Sequence, residues 1–136
     1  MTFDPTVDYP LGSQRPDLVE TPSGLALDEV TLEAARAGTL VATDVRATPA
    51  TLRRQAQVAA AAGRRQLADN LARAAELAGV PDDQLLEVYT ALRPRRSTAA
   101  ELEQWALRLD GWEAPLTAAF VREAAAAYVD RGLVLD

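Results

Sequence analysis

The groups able to do chemistry in this chain of 136 residues are carboxylates, hydroxyls and guanidinium groups, because the sequence holds no His, no Cys and no Lys. It therefore lacks the usual near-neutral general base, the thiolate nucleophile and the Schiff-base amine. Disulfides and thiolate metal sites are excluded outright. What remains is carboxylate chemistry of the glycosidase kind, or recognition without catalysis, and the absences favour recognition. The densest cationic group is Arg93, Arg95 and Arg96 around Pro94. Forked guanidinium bonds there would grip a phosphate or an acidic patch on another subunit, giving register as well as affinity. The competing reading is a solvated corner that caps the last carbonyls of the preceding helix.

Other charged pairs carry less. Asp82 and Asp83 stand in a first helical turn, where they stabilise the positive dipole end; adjacent residues on a helix diverge and do not converge on one ion. Glu101 and Glu103 form no better site, and the regularly spaced acids around a Gly that an EF-hand needs are missing. No GxGxxG or P-loop spacing occurs. Arg53 with Arg54 and Arg64 with Arg65 fit no helix-turn-helix layout in a net-acidic chain, and read as solvated charge. Trp105 and Trp112 read as plugs between helices or as interface anchors.

The elements that must position these residues are helices. Hydrophobic residues make up 49% of the chain, aromatics only 5%, Ala is abundant and Ile absent, which favours closely packed helices over strands. Thr48 as N-cap and Pro49 at the first helical position open a run in which Leu52, Ala56, Ala59, Gly63, Leu67, Leu71, Ala74 and Ala78 recur every three or four residues. The phase survives Gly63, so one long helix to Ala78 is predicted, closed by Gly79. A second helix spans Pro81 to Leu92, with Leu85, Tyr89 and Leu92 on one face and Leu86 and Val88 beside it, until Pro94 denies Arg93 the α region. Thr98 and Glu101 form a capping box for a helix from Ala99 to about Asp110, with Gly111 ending it. The last helix begins at Pro115 and stops at Gly132. Its apolar side, including Leu116, Phe120, Val121 and Tyr128, is broad enough to be central to the core or shared with a neighbour.

Upstream, Asp28 is a plausible N-cap for a short helix through Ala37 with Gly38 after it, and a short β-like piece at Leu40 to Ala42 competes with a plain link. Residues Met1 to Ala26, with Pro5, Pro10, Pro16 and Pro22, read as an extended arm. Tyr9, Leu11, Leu18 and Val19 are apolar anchors that a solvating tail would not need, so docking on a partner is favoured over disorder. The expected architecture is all-α: a single domain over 1–136, a small open bundle of about five helices, one of them long, with residues 1–26 as the arm and 27–136 as the body.

The net charge of −6 argues against nucleic acid and anionic membranes as partners. All-Arg basicity suits bidentate ion pairs, although a GC-rich genome choosing Arg over Lys is the better explanation. No apolar stretch approaches a membrane span, and the first ten residues lack signal-peptide regions, so a soluble cytoplasmic protein is expected.

Taken together, VPDDQLLEVYTALRPRRST at Val80 to Thr98, DYPL at Asp8 to Leu11, LDEVTLE at Leu27 to Glu33, TPATLRRQA at Thr48 to Ala56, AGRRQLADNLARAAEL at Ala62 to Leu77 and AAFVREAAAAYVDR at Ala118 to Arg131 resemble the small subunit of the adenosylcobalamin-dependent diol and glycerol dehydratases. The resemblance covers nearly the whole chain in order. It implies a mostly helical subunit packed on a large TIM-barrel subunit, with cobalamin between the large (alpha) and medium (beta) subunits, in a dimer of three-subunit units that converts 1,2-propanediol or glycerol into an aldehyde and water. It places no catalytic, cofactor-binding or metal residue on this chain, and nothing here looks like a cobalamin site, one widespread form of which needs a His. The partner-facing candidates are Tyr9, Leu11, Arg93, Arg95 and Arg96. Microcompartment-associated members carry longer tails before the DYPL-like motif, so packaging of that kind is not expected. The competing reading is a free-standing helical adaptor with no enzymatic role.

Overall fold

The computed structural model of the chain describes residues 2–136. Over these the fold is all-α: α1 (Leu11–Gln14), α2 (Leu32–Ala37), α3 (Pro49–Ala61), α4 (Arg65–Leu77), α5 (Asp82–Ala91), α6 (Ala99–Gly111) and α7 (Pro115–Asp130). The β-like piece considered at Leu40 to Ala42 is instead a 3₁₀ turn over Ala42–Val45. By their contacts the residues fall into two compact units, one up to Ala75 and one from Glu76 onward.

In the first unit, the segment read as an extended arm is folded over much of its length. Leu11 opens α1 and is only 6% exposed, and a 3₁₀ turn over Pro16–Leu18 follows. Arg15 ties this stretch together, reaching Asp8 at 3.0 Å and Asp17 at 2.9 Å. An isolated antiparallel bridge joins Glu20 to Ala26, and Arg54 of α3 donates from Nη1 to the Leu18 carbonyl at 2.6 Å. The prolines rule out one long helix there but allow short turns, which side-chain donors then hold. The cap of α2 is Thr31, whose Oγ1 accepts the Ala34 amide at 3.1 Å. Asp28 lies one turn earlier, in a 3₁₀ turn over Leu27–Glu29 whose Glu29 carboxylate accepts the Ala26 amide at 2.7 Å, and the backbone leaves helical geometry at Val30 and Thr31 before α2 begins. Gly38, in the left-handed region at φ 77°, ends α2 as expected.

The long helix is broken. Gly63 sits at φ 75°, its amide donates to the Ala60 carbonyl at 2.9 Å, and the Arg64 amide donates to the Ala59 carbonyl at 2.8 Å. This is the paired-bond ending of a helix that a left-handed residue permits. The spacing of apolar residues continues across the break, so the pattern alone reads as one rod; the glycine decides otherwise. At its start, Thr48 caps α3 through the Thr51 amide at 3.2 Å, with Pro49 first in the helix.

In the second unit α6 and α7 pair along their lengths, with α5 beside them. Leu102, Ala106, Leu109, Ala114, Ala118 and Val121 are sealed from solvent, joined by Val80, Val88 and Ala91. The four alanines keep the backbones close and the two leucines fill the layer between. Thr98 and Glu101 make the predicted capping box, at 2.8 and 3.2 Å. Gly111 is the last helical residue of α6, as expected, but the left-handed conformation falls on Glu113 at φ 57°, and the Ala114 amide closes on the Leu109 carbonyl at 2.9 Å. Ala114 has no side-chain oxygen to cap α7, and Glu76 does so from forty residues away. Its carboxylate accepts the Leu116 amide at 2.9 Å and the Thr117 amide and hydroxyl at 2.8 Å each. Outside the core Arg122 forks between Glu103 at 3.0 Å and Asp110 at 2.8 Å, contacts that raise its pKa, the Asp110 bond first.

The apolar faces also turn. On α5 Leu85 and Leu92 pack against the core as expected, but the core takes Val88 and Ala91 fully and leaves Tyr89 58% and Leu86 67% exposed. On α7 Ala118 and Val121 point inward, while Leu116 and Phe120 are exposed. Each helix carries two adjacent apolar stripes, and the neighbouring helix selects one.

Candidate partner interface

The basic corner is built by the end of α5. Pro94 has no amide to continue the helix, and Arg95 adopts φ 59°, so the chain turns sharply. Four bonds then fix that turn. The Ser97 hydroxyl donates to the Ala91 carbonyl at 3.0 Å and the Tyr128 hydroxyl to the Leu92 carbonyl at 2.6 Å. The Arg95 amide donates to the Leu133 carbonyl at 2.6 Å and the Leu135 amide to the Ser97 carbonyl at 2.9 Å. The carbonyls ending α5 are thus partly served by Ser97 and Tyr128. Arg93, Arg95 and Arg96 are exposed, and their guanidinium groups make no ion pair or side-chain hydrogen bond among the described residues. A rigid backbone therefore presents three uncommitted forks.

Beside this corner lies a shallow hollow of about 330 Å³, to which Leu86, Thr90, Arg96, Ser97 and Trp105 contribute. Trp105 is half-buried, and the Arg108 guanidinium lies 4.6 Å from its ring centroid, a cation–π distance. Leu86, 67% exposed, lines this hollow with one cation, Arg96, and one carboxylate, Glu87.

The other two candidates lie in the first unit. Tyr9 is 62% exposed, whereas Leu11 is packed within its own unit. Leu11 therefore holds the segment in place instead of projecting toward a partner. Tyr9, Leu11, Val58, Arg64, Leu67 and Leu71 contribute to a groove of about 720 Å³. Several acids of this unit are held in local hydrogen bonds. Hydrogen bonds from the Ser23 side chain first, and from the Val41 amide, hold the Asp44 carboxyl below the usual carboxylate range. Asp17 is lowered by its bond from Arg15, and Asp4 by the Thr6 hydroxyl and amide.

Asp82 and Asp83 occupy the first turn of α5, as their spacing predicts. Among the described residues no group of three or more His, Cys, Asp or Glu side chains could hold a metal ion, and no helix is long and apolar enough to cross a membrane. The reach of Glu76 to α7 and of Arg54 to Leu18 left no trace in the sequence, since neither has a local motif.

A family model described as dehydratase small subunit matches residues 5–134. The chain is 52% identical over 125 residues to the propanediol dehydratase small subunit of Citrobacter freundii, covering 91% of this chain and 73% of that one. It is 51% identical over 125 residues to the protein of the same name from Salmonella typhimurium, covering 91% and 72%. Sequence motifs, all-α architecture and family match agree: the chain belongs to the dehydratase small subunit family, and is a subunit of a dehydratase, a hydro-lyase.

Proposed function

We propose that this chain is the non-catalytic small subunit of an adenosylcobalamin-dependent dehydratase acting on 1,2-propanediol or glycerol, and that it supports assembly and stability of the complex in the cytoplasm. The observation that carries the reading is the identity of 51–52% to propanediol dehydratase small subunits across nearly the whole chain. The residue chemistry agrees with it. With no His, Cys or Lys, the chain has no imidazole for cobalt, no thiolate and no amine nucleophile. Its residues do not fit the cofactor, which belongs on the large and medium subunits.

This chain's own contribution is surface. The fixed Arg93–Arg96 corner meets carboxylates of the large subunit, with Leu86 and Tyr89 as apolar anchors, and Tyr9 adds a second contact from the first unit. Two such heterotrimers pair in the holoenzyme. Co-expression of all three subunits, with and without this chain, tests the reading: dehydratase activity and a complex of full size are expected only when it is present. Unchanged activity and size without it would leave a free-standing helical adaptor as the better description. Reversing the corner with Arg93→Glu, Arg95→Glu and Arg96→Glu is expected to lower retention of this chain by the large subunit at least tenfold, measured by co-purification, with helical circular dichroism unchanged.

A further inference from the structure

The backbone of the basic corner is closed from one side by a strap. After α7 the chain reverses at Gly132, which takes φ 64°, with its amide on the Val129 carbonyl at 3.2 Å and the Leu133 amide on the Tyr128 carbonyl at 2.8 Å. Residues 133–136 then run back past the end of α5. The Leu133 carbonyl accepts the Arg95 amide at 2.6 Å, the one hydrogen bond of that amide among the described residues, and the Leu135 amide donates to the Ser97 carbonyl at 2.9 Å. Arg95 stands at φ 59°, a region that residues with a side chain rarely adopt and keep only where their surroundings enforce it. The strap supplies that enforcement at Arg95 itself, whereas Ser97 and Tyr128 grip carbonyls of α5 before the turn, at Ala91 and Leu92. What holds the strap is slight by comparison. Leu133 and Val134 are half-buried and Leu135 is 45% exposed, and the apolar side chains packed against the sealed core of the second unit end at Tyr128. Segments with few buried apolar contacts and solvent-exposed hydrogen bonds open without the rest of the fold. We infer that residues 133–136 are a latch on the corner. Closed, the latch locks Arg95 in its left-handed conformation and sets the three guanidinium groups on one fixed turn. Open, it releases Arg95 toward ordinary backbone geometry and frees the corner, while α5, α6 and α7 stay folded. The latch is a property of this chain and does not depend on what the corner binds.

Backbone hydrogen exchange, followed amide by amide by NMR on the full-length chain, tests it. The Arg95 and Leu135 amides are expected to share one opening, with protection within about threefold of each other and at least about 100-fold below that of Ala106 and Leu109 in α6. Leu135→Pro removes the donor to the Ser97 carbonyl and is expected to lower protection at Arg95 about tenfold, with α6 and α7 unchanged. Leu135→Ala keeps that donor and is expected to leave Arg95 within about threefold of the wild type. Arg95 protected as strongly as α6 in the wild type overturns the inference, because the strap then opens only with the core. Unchanged protection at Arg95 in Leu135→Pro overturns it as well, and so does loss of protection throughout α6 and α7 in that variant. Equal loosening by Leu135→Ala does the same, since side-chain packing and not the main-chain bond would then hold the turn.

Discussion

From Glu76 onward three helices close over leucine, valine and alanine side chains that solvent does not reach, whereas among the described residues up to Ala75 the buried apolar groups are Leu11, Ala59 and Ala75. The second region is held by packing. The first is held by single polar side chains gripping backbone: Arg54 on the Leu18 carbonyl, Asp44 on the Ser23 and Val41 amides, Thr31 and Thr48 on helix starts. A segment rich in proline cannot bury enough apolar surface to order itself by collapse, so local hydrogen bonds carry more of the work. Such a region is suited to being completed by another protein, because its apolar groups are still partly in water.

The contrast breaks most visibly in the core. Leu102→Ala should destabilise the chain by about 2–5 kcal/mol, since the facing helices cannot collapse into the space left. Leu11→Ala should cost clearly less, because a groove already lies beside it. Urea unfolding of both variants decides the matter, and equal losses would erase the distinction between the regions. Glu76→Ala comes next, with an expected loss of about 1–3 kcal/mol from stripping the acceptor from two amides and a hydroxyl at the start of α7. A loss below about 0.5 kcal/mol would mean that water replaces the cap without penalty.

The smallest effect sharpens the other side. Asp44 is lowered in the folded chain by hydrogen bonds from the Ser23 side chain first, then the Val41 amide. Its contribution is therefore fully present above the ordinary carboxylate value and is lost as pH falls through the lowered one. Protection of the Ser23 and Val41 amides, taken relative to the intrinsic exchange rate at each pH, should fall as pH drops below about 4, the ordinary carboxylate value. Asp44→Asn should flatten that dependence, leaving exchange in α6 and α7 unaffected. Identical pH profiles in wild type and variant would show that this carboxylate is not what holds the turn.

What the sequence revealed were features whose cause lies within four or five residues. The Thr98–Glu101 box, Thr48 with Pro49, and the glycines at 38 and 132 could all be read directly, because both partners in each bond are near neighbours. The break at Gly63 could not, since a left-handed residue inserted in the run kept the apolar spacing intact on either side. Nor could the choice of Val88 over Tyr89 on the inward side of α5. Tyr89 and Val88 are adjacent stripes of similar hydrophobicity, and only the presence of α6 and α7 decides between them. The Arg93–Arg96 cluster was visible as composition, yet what makes it a candidate contact is the immobilised turn beneath it, built by Ser97, Tyr128 and Leu133 from distant positions. The groove was invisible, because its floor is drawn from α1, α3 and α4, and only folding the presumed arm brings them together.

The bonds that tie Leu133 to Arg95 and Leu135 to Ser97 have a practical consequence for anyone handling the protein. They deliver the last described residues to the side of the basic corner. A purification tag or fluorescent protein fused after Asp136 would hang over those three arginines like a curtain, and an acidic tag would neutralise them outright. Handles for pull-down experiments are better attached at a surface position elsewhere, such as the exposed outer side of α6 at Leu107.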